Sequence, residues 1–248
     1  MGQLGVIDLT SICRNFPRPL SHEIQRDNLL ATIDKIFEGD THLIVLEGEE
    51  GIGKTTLLAQ YAKLHPYNTI SLFIRATSHL ACTPEYIRVI LCEQMNEVLA
   101  KETLDPERVD ETLLRSQLTQ LQSHASKKRM TFHFIVDGLE EIGETSSAIQ
   151  ETILKEMLPL GLTGFRFLVA GDIRKVSDVV GRSVQTKPFV VPIFSFDETL
   201  KYLKDLNLER HYVQDLHNMC RGIPAHLEIV RREMQRGVDA KSLLQEEA

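Results

Sequence analysis

Short apolar runs alternate with helical stretches along the chain from Leu43 onward. The runs have the length of buried strands, and the apolar residues between them recur at helical spacing. Apolar strands separated by helices are typical of a parallel sheet covered by helices on both faces, so the predicted fold class is α/β. The predicted strands are Leu43–Leu46, Thr69–Ile74, Phe132–Val136, Arg166–Ala170 and Phe189–Ile193.

Start signals mark several of the helices. Thr83 offers a capping hydroxyl ahead of Pro84, and Asp105 repeats the arrangement ahead of Pro106, which predicts one helix after each pair. Two further helices are predicted from apolar spacing, from Ser21 or His22 to about Phe37 and over about Ser147–Leu158.

The strand pattern stops after Phe196. Four helices are predicted beyond it, over Asp197–Leu206, Glu209–Cys220, Pro224–Met234 and Asp239–Gln245. This change predicts a small all-helical domain at the carboxyl end. The predicted division is a leader or linker over residues 1–20, an α/β domain over 21–196 and the helical domain over 197–248.

Composition narrows the class of protein. The net charge is -7, tryptophan is absent, and no dense stripe of Lys and Arg occurs, which argues against a nucleic-acid backbone as the partner. The four cysteines form no C-x-x-C pair, so neither a structural zinc site nor a secreted disulfide framework is expected. No segment has the pattern of a signal peptide or the length of a membrane span, and a cytoplasmic location is expected.

The segment Gly48–Thr55 fulfils the pattern G-x-x-x-x-G-K-[ST] between a predicted strand and a predicted helix. In such a P-loop, glycines let backbone amides point inward around phosphates, and the helix amino terminus adds its positive end. The predicted nucleotide-binding residues here are Gly48, Glu49, Glu50, Gly51, Ile52, Gly53, Lys54, Thr55 and Thr56.

Within this motif, charged and hydroxyl side chains have separate predicted roles. Lys54 is expected to reach the β- and γ-phosphates, and the Thr55 hydroxyl is expected to bind Mg²⁺. Thr56 is expected on the α-phosphate side. Glu49 and Glu50 are expected to turn their carboxylates to solvent and contribute backbone amides.

A second metal-binding carboxylate is predicted at Asp137, which ends the apolar run Phe132–Val136. The next acids, Glu140 and Glu141, either orient and deprotonate the attacking water or open a solvated loop. No Asn/Thr-Lys-x-Asp guanine-reading motif follows Asp137, so the predicted ligands are ATP or ADP with Mg²⁺.

The stretch Asp137–Glu141 resembles the extended Walker B motif of NACHT-type STAND NTPases, in which an acidic pair follows the magnesium aspartate. Three other segments are similar to motifs of that family: Ile24–Asp27, where Gln25 stands in place of a glycine; the strand Phe167–Ala170 followed by Gly171–Arg174; and Cys220–Leu227, which contains a Gly-x-Pro motif. The resemblance implies an ASCE-type sheet of order 5-1-4-3-2. It also implies that Arg26 and Pro224 lie near the base and that Arg174 senses the phosphates.

By this resemblance the chain is expected to be a slow ATPase that acts as a conformational switch in signalling or defence. Such a switch implies nucleotide-dependent self-association or an attached effector or sensor module, and the chain is expected to be either an excised core or a minimal protein. The alternative is an AAA+ or ORC-like ATPase motor or loader acting on nucleic acid or protein, with an arginine acting in trans. A P-loop kinase is a third possibility, but no arginine-rich lid is evident.

Overall fold

A computed structural model gives the fold, and it describes Cys13 and residues 15–20, 22–75, 82–101, 104–142 and 147–245. Five strands lie within these residues. In chain order they are β1 (Leu43–Glu47), β2 (Thr69–Phe73), β3 (Phe132–Asp137), β4 (Phe165–Ala170) and β5 (Thr186–Val190).

The α-helices of the described residues fall into two groups, one before β5 and one after it. The first group is α1 (Asp27–Phe37), α2 (Lys54–Leu64), α3 (Pro84–Val98), α4 (Glu111–Lys128), α5 (Ser147–Thr152) and α6 (Ile173–Val180). The second group is α7 (Phe196–Tyr202), α8 (Arg210–Met219), α9 (Pro224–Gln235) and α10 (Ala240–Gln245).

The strands form one sheet in the order β2-β3-β4-β1-β5, which is the predicted order read from the opposite edge. The pairs β2–β3, β3–β4 and β4–β1 are parallel. Phe73 is level with Asp137, and Val136 is level with Val169, so the carboxyl ends of these strands meet at one edge. The prediction of a parallel α/β fold followed by helices is confirmed.

Helices bury both faces of the sheet. On one face, Val45 shares a buried cluster with Ile87 of α3 and Leu121 of α4. On the other face lies α2, whose Tyr61 hydroxyl is 3.0 Å from Nδ1 of His133 in β3. Because side chains alternate along a strand, His133 and Asp137 point to this second face.

A glutamine covers the outer edge of β2. The side chain of Gln94, on α3, accepts from the Ser71 amide at 2.8 Å and donates to the Ser71 carbonyl at 2.7 Å. The Cys13 thiol also donates to this carbonyl at 3.4 Å. The polar backbone groups of Ser71 are therefore occupied within the chain.

The fifth strand corrects the prediction, because it spans Thr186–Val190 and not Phe189–Ile193. It lies at the sheet edge, where Lys187 and Pro188 are exposed and a proline is tolerated. The carbonyls of Pro192 and Ile193 accept hydrogen bonds from Arg26 at 2.8 and 3.2 Å. The residues after β5 therefore form a segment that Arg26 binds through its backbone carbonyls, and they are not part of the strand.

Three predicted helices also have different bounds. The first begins at Asp27, because Ile24 packs in the helical cluster described below. Asp105 caps only a 3₁₀ turn, and Asp110 caps α4 by accepting from the Leu113 amide at 2.7 Å. The helix predicted over Ser147–Leu158 is α-helical only to Thr152 and continues as a π turn.

The chain divides into two compact units. The sheet unit contains residues up to Pro17, Asp27–Glu47 and Thr55–Phe189, and the helical unit contains Arg18–Arg26, Gly48–Lys54 and Val190–Ala248. The helical unit has its own buried cluster, which includes Phe194, Leu216 and Leu227. The predicted domains were continuous segments divided at residues 20 and 196, whereas each of these units combines several segments. The predicted domain division therefore stays a prediction.

None of the described helices is long and apolar enough to cross a lipid bilayer.

Candidate functional site

The predicted P-loop follows β1, and its last two residues, Lys54 and Thr55, are the first two of α2. The Lys54 ammonium donates to the carbonyls of Gly48 at 2.7 Å and Glu49 at 3.1 Å, so the lysine side chain folds back over the loop. Glu49 and Glu50 are exposed, and Ile52 is buried and anchors the loop.

The loop packs closely on the amino end of α9 within the helical unit. Gly51 has a φ of +78°, and its carbonyl accepts from the Ala225 amide at 3.1 Å. A Cβ on Gly51 would lie 2.5 Å from the Ala225 Cβ. A side chain is therefore excluded at Gly51 by both conformation and space.

In the sheet unit, the two predicted magnesium ligands are neighbours. The Thr55 hydroxyl donates to Oδ2 of Asp137 at 2.8 Å, although the residues are 82 positions apart. Asp137 is 2% exposed and Thr55 is half-buried. A hydroxyl and a carboxylate are oxygen ligands that suit Mg²⁺, so this pair fits the metal that the motif implies.

Arg75, which the sequence analysis missed, also contacts this carboxylate. Its guanidinium donates to Oδ2 of Asp137 at 2.8 Å and to the Ile74 carbonyl at 2.8 Å. One sequence signal could have indicated it: Arg75 ends the apolar run of β2, as Asp137 ends that of β3. The register of the two strands, which brings Phe73 level with Asp137, was needed to pair them.

Gly138 turns the chain sharply after Asp137. Its φ is +82°, and a Cβ there would lie 2.2 Å from the Ile74 carbonyl oxygen, so glycine is required. Glu140 and Glu141 follow in a short 3₁₀ turn with exposed side chains. Burial, and secondly the charge of Glu141, raises the pKa of the Cys82 thiol.

Arg174 is an exposed residue in the first turn of α6, after β4. The Asp172 carboxylate caps this helix by accepting from the Arg174 amide at 2.7 Å. Oε1 of Glu47, at the end of β1, accepts from the Ile173 amide at 3.0 Å. These two acids fix the start of the helix, and the sensor role of Arg174 stays a prediction.

Arg26 is buried in the helical unit. Its guanidinium pairs with Glu198 at 3.0 Å and donates to the carbonyls of Pro192 and Ile193. Arg26 therefore holds the segment after β5 in place. Pro224 is the first residue of α9, beside the Ala225 amide that contacts the loop. Their contact with a base stays a prediction.

A cavity of about 570 Å³ lies within the helical unit. The start of the P-loop, the segment after β5 and the end of α8 line it. Its apolar side includes Ile52 and Ile223, and its polar side includes His217, Asn218 and Arg221. The sequence analysis predicted none of these three polar residues as a ligand contact, because polar residues at a helix end do not by themselves mark a ligand site.

Open space lies beside Gly53 of the loop. Among the described residues, no heavy atom other than those of its chain neighbours lies within 4 Å of a Cβ built on Gly53. The Lys54 ammonium lies on the same loop and supplies a positive charge. Within the helical unit, the loop and Lys54 are the residues that would hold phosphate. Within the sheet unit, the Thr55–Asp137 pair is the one that would hold Mg²⁺.

Comparisons with known proteins give the family of the chain and proteins of similar fold. A sequence model of the AAA ATPase domain matches residues 19–162. The Walker-type ATPase PABY2304 of Pyrococcus abyssi has a similar fold, with a TM-score of 0.58 at 16% identity over 93% of this chain and 74% of that chain. Cdc6p from Pyrobaculum aerophilum gives a TM-score of 0.46 at 14% identity over 97% of this chain and 67% of that chain. No curated protein matches the chain in sequence.

Proposed function

Since the chain belongs to the AAA ATPase domain family, we propose that it binds ATP with Mg²⁺ and hydrolyses it to drive work on a macromolecular partner. The partner class, nucleic acid or protein, is that of AAA+ and ORC-like motors and loaders. The observation that carries the nucleotide site is the 2.8 Å contact between Thr55 and Asp137, which unites two predicted magnesium ligands from distant parts of the sequence.

The P-loop residues supply the phosphate-binding groups. The backbone amides of the loop and the amino end of α2 attract the phosphate chain, and Lys54 neutralises the charge of its β and γ groups. The Thr55 hydroxyl and the Asp137 carboxylate would hold Mg²⁺. The metal, when bound, offsets the negative charge that develops on the phosphate oxygens.

Glu140 and Glu141 are the candidates for positioning water. Both are acids exposed directly after the Asp137 turn, and either can accept a proton from a water molecule that attacks the γ-phosphate. Arg174, on the first turn after β4, is the candidate for contact with the phosphates. Slow turnover without a partner follows if that partner must complete the site.

The cavity of the helical unit is the proposed base site. It borders Gly48 at the start of the phosphate loop, and its apolar walls suit a purine ring. Asn218 and Arg221 provide polar groups at its edge, which can distinguish the amino group of adenine from the carbonyl of guanine. Arg26 supports this site by fixing the segment 190–193.

The proposal is tested by Lys54→Ala, with Lys35→Ala as a control on an exposed helical position. Wild type and control should gain about 2.7 kcal/mol of unfolding free energy at a hundredfold excess of Mg·ATP over Kd. The Lys54 variant should gain little and release no phosphate. Equal stabilisation of all three proteins would contradict the phosphate assignment.

A STAND-type switch, with self-association or an effector module as its output, is the second candidate. The contact between the Gly51 carbonyl and the Ala225 amide favours it, because a phosphate loop that holds a helix end can transmit the state of the nucleotide. Slow hydrolysis suits this function, since the bound nucleotide then sets the lifetime of each state.

A further inference from the structure

The Asp137 carboxylate carries a positive partner of its own chain. Oδ2 accepts from the Thr55 hydroxyl and from the Arg75 guanidinium, each at 2.8 Å. The carboxylate is 2% exposed, and an unpaired charge buried to this extent would be strongly destabilising. Arg75 is therefore the counter-ion of this carboxylate.

The same oxygen atom belongs to the pair that would hold Mg²⁺. The Arg75 guanidinium and the metal therefore compete for Oδ2 of Asp137. Two cations at one buried oxygen repel each other strongly, because water screens them little there. Arg75 can withdraw more easily than Asp137: its side chain is 29% exposed, and it lies beyond the last residue of β2.

We propose that Arg75 occupies the magnesium ligand Asp137 in the metal-free protein and leaves Oδ2 when Mg²⁺ enters with the nucleotide. The proposal rests on the proposed ATP site. Arg75 is a positioning residue in this scheme: it holds the carboxylate oriented toward Thr55. The competition also sets how much free Mg²⁺ the protein needs before ATP binds tightly.

The experiment compares wild type with Arg75→Met, which keeps the chain length but removes the charge, and with Arg75→Lys, which keeps a cation. Arg115→Met, on an exposed face of α4, is the matched control. ATP affinity is measured at a series of free Mg²⁺ concentrations. Thermal unfolding is measured without nucleotide, once in EDTA and once with Mg²⁺ alone.

We expect Arg75→Met to unfold several degrees lower than wild type in EDTA and to regain most of that loss with Mg²⁺. Its half-saturating Mg²⁺ concentration for ATP binding should fall about tenfold, equivalent to about 1.4 kcal/mol. Arg75→Lys should stay close to wild type, and Arg115→Met should not differ from it.

An unchanged magnesium requirement in Arg75→Met would overturn the proposal, because Arg75 would then not compete with the metal. A higher requirement would also overturn it, because Arg75 would then assist Mg·ATP binding. If this variant does not fold in EDTA, the same titration on Arg75→Gln gives the answer, because an amide can still donate to Oδ2. Failure of wild type to bind Mg·ATP would instead refute the proposed function, independently of any Arg75 variant.

Discussion

At the scale of single residues, His133 is a titratable group held inside the sheet unit. Its Nδ1 lies 3.0 Å from the Tyr61 hydroxyl, and its ring stacks on His65 at 4.8 Å. Asp34 accepts from the Tyr61 hydroxyl at 2.7 Å, and Arg166 adds positive charge nearby. Burial, followed by the charges of His65 and Arg166, lowers the pKa of His133 to about 3.

The depressed pKa predicts an acid-sensitive fold. Above the ordinary pKa of 6.5 histidine is neutral in the folded and unfolded states alike, so His133 adds no pH dependence. Between pH 6.5 and 3 only the unfolded chain takes up this proton, and stability falls with pH. From pH 7 to pH 5 we expect this residue to account for a loss of about 2 kcal/mol.

Urea unfolding at pH 7 and pH 5 measures this loss. His133→Gln should lose about 2 kcal/mol less than wild type between the two pH values, because it removes the titrating group. His211→Gln, at an exposed position, serves as the control and should keep the wild-type dependence. Identical slopes for wild type and His133→Gln would show that this histidine is not held neutral.

Individual site residues were predictable where a contiguous motif carries the chemistry. Gly48–Thr55 could be recognised because successive backbone amides and one side chain act together, and Asp137 because a charge ends an apolar strand. Arg75 carries the same strand-end signal, but its contact with Asp137 could not be predicted, and Asn218 carries no such signal. Their positions depend on strand register and on the turn after α8, which local sequence does not encode.

At the scale of elements, the contact between the P-loop and α9 is defined by two small residues, Gly51 and Ala225. Gly51→Ala should disturb the loop for two reasons: the positive φ costs about 1–2 kcal/mol for a non-glycine residue, and the new Cβ would clash with that of Ala225. Nucleotide-induced stabilisation should be lost, as measured by thermal unfolding with and without Mg·ATP.

Gly161→Ala separates these two causes. Gly161 has a φ of +81°, and among the described residues no heavy atom other than those of its chain neighbours lies within 4 Å of its Cβ position. This control should carry the conformational cost and keep nucleotide binding. Ala225→Gly, added to Gly51→Ala, should restore part of the binding, and a double variant no better than the single one would exclude the clash as the cause.

Elements were predictable where apolar patterning and burial coincide. β1 and β3 are buried along almost their whole length, and their bounds were predicted to within a residue. β5 was misplaced by three residues at each end, because an edge strand with exposed Lys187 and Pro188 lacks the continuous apolar signal. The break in the helix after Thr152 had no sequence signal that we can identify.

At the scale of the whole molecule, the two candidate functions differ in the dependence of turnover on a partner. A motor or loader that acts on nucleic acid should hydrolyse ATP much faster when DNA is added, whereas a switch should keep a slow rate. Phosphate release with and without DNA measures this difference, and light scattering with ATP or ADP reports nucleotide-dependent assembly. Glu140→Gln and Glu141→Gln, measured separately, show which acid positions water and supply the baseline with impaired hydrolysis.

The effect of DNA on the rate of ATP hydrolysis distinguishes the motor from the switch. Stimulation of at least about tenfold, the size of a 1.4 kcal/mol change in barrier, supports the motor and argues against the switch. A constant slow rate together with ATP-dependent growth in particle size supports the switch. If the partner is a protein, a basic surface on it is favoured, because this chain has a net charge of -7.

The amide and carbonyl that Gln94 occupies on Ser71 have a bearing on how copies of this protein can associate. With the Ser71 groups of β2 occupied by this side chain and β5 interrupted by Pro188, both margins of the described sheet are poorer templates for strand addition. Intermolecular growth by backbone pairing, the route to fibrils, is thereby discouraged. Association through helices and loops is thereby favoured over strand pairing.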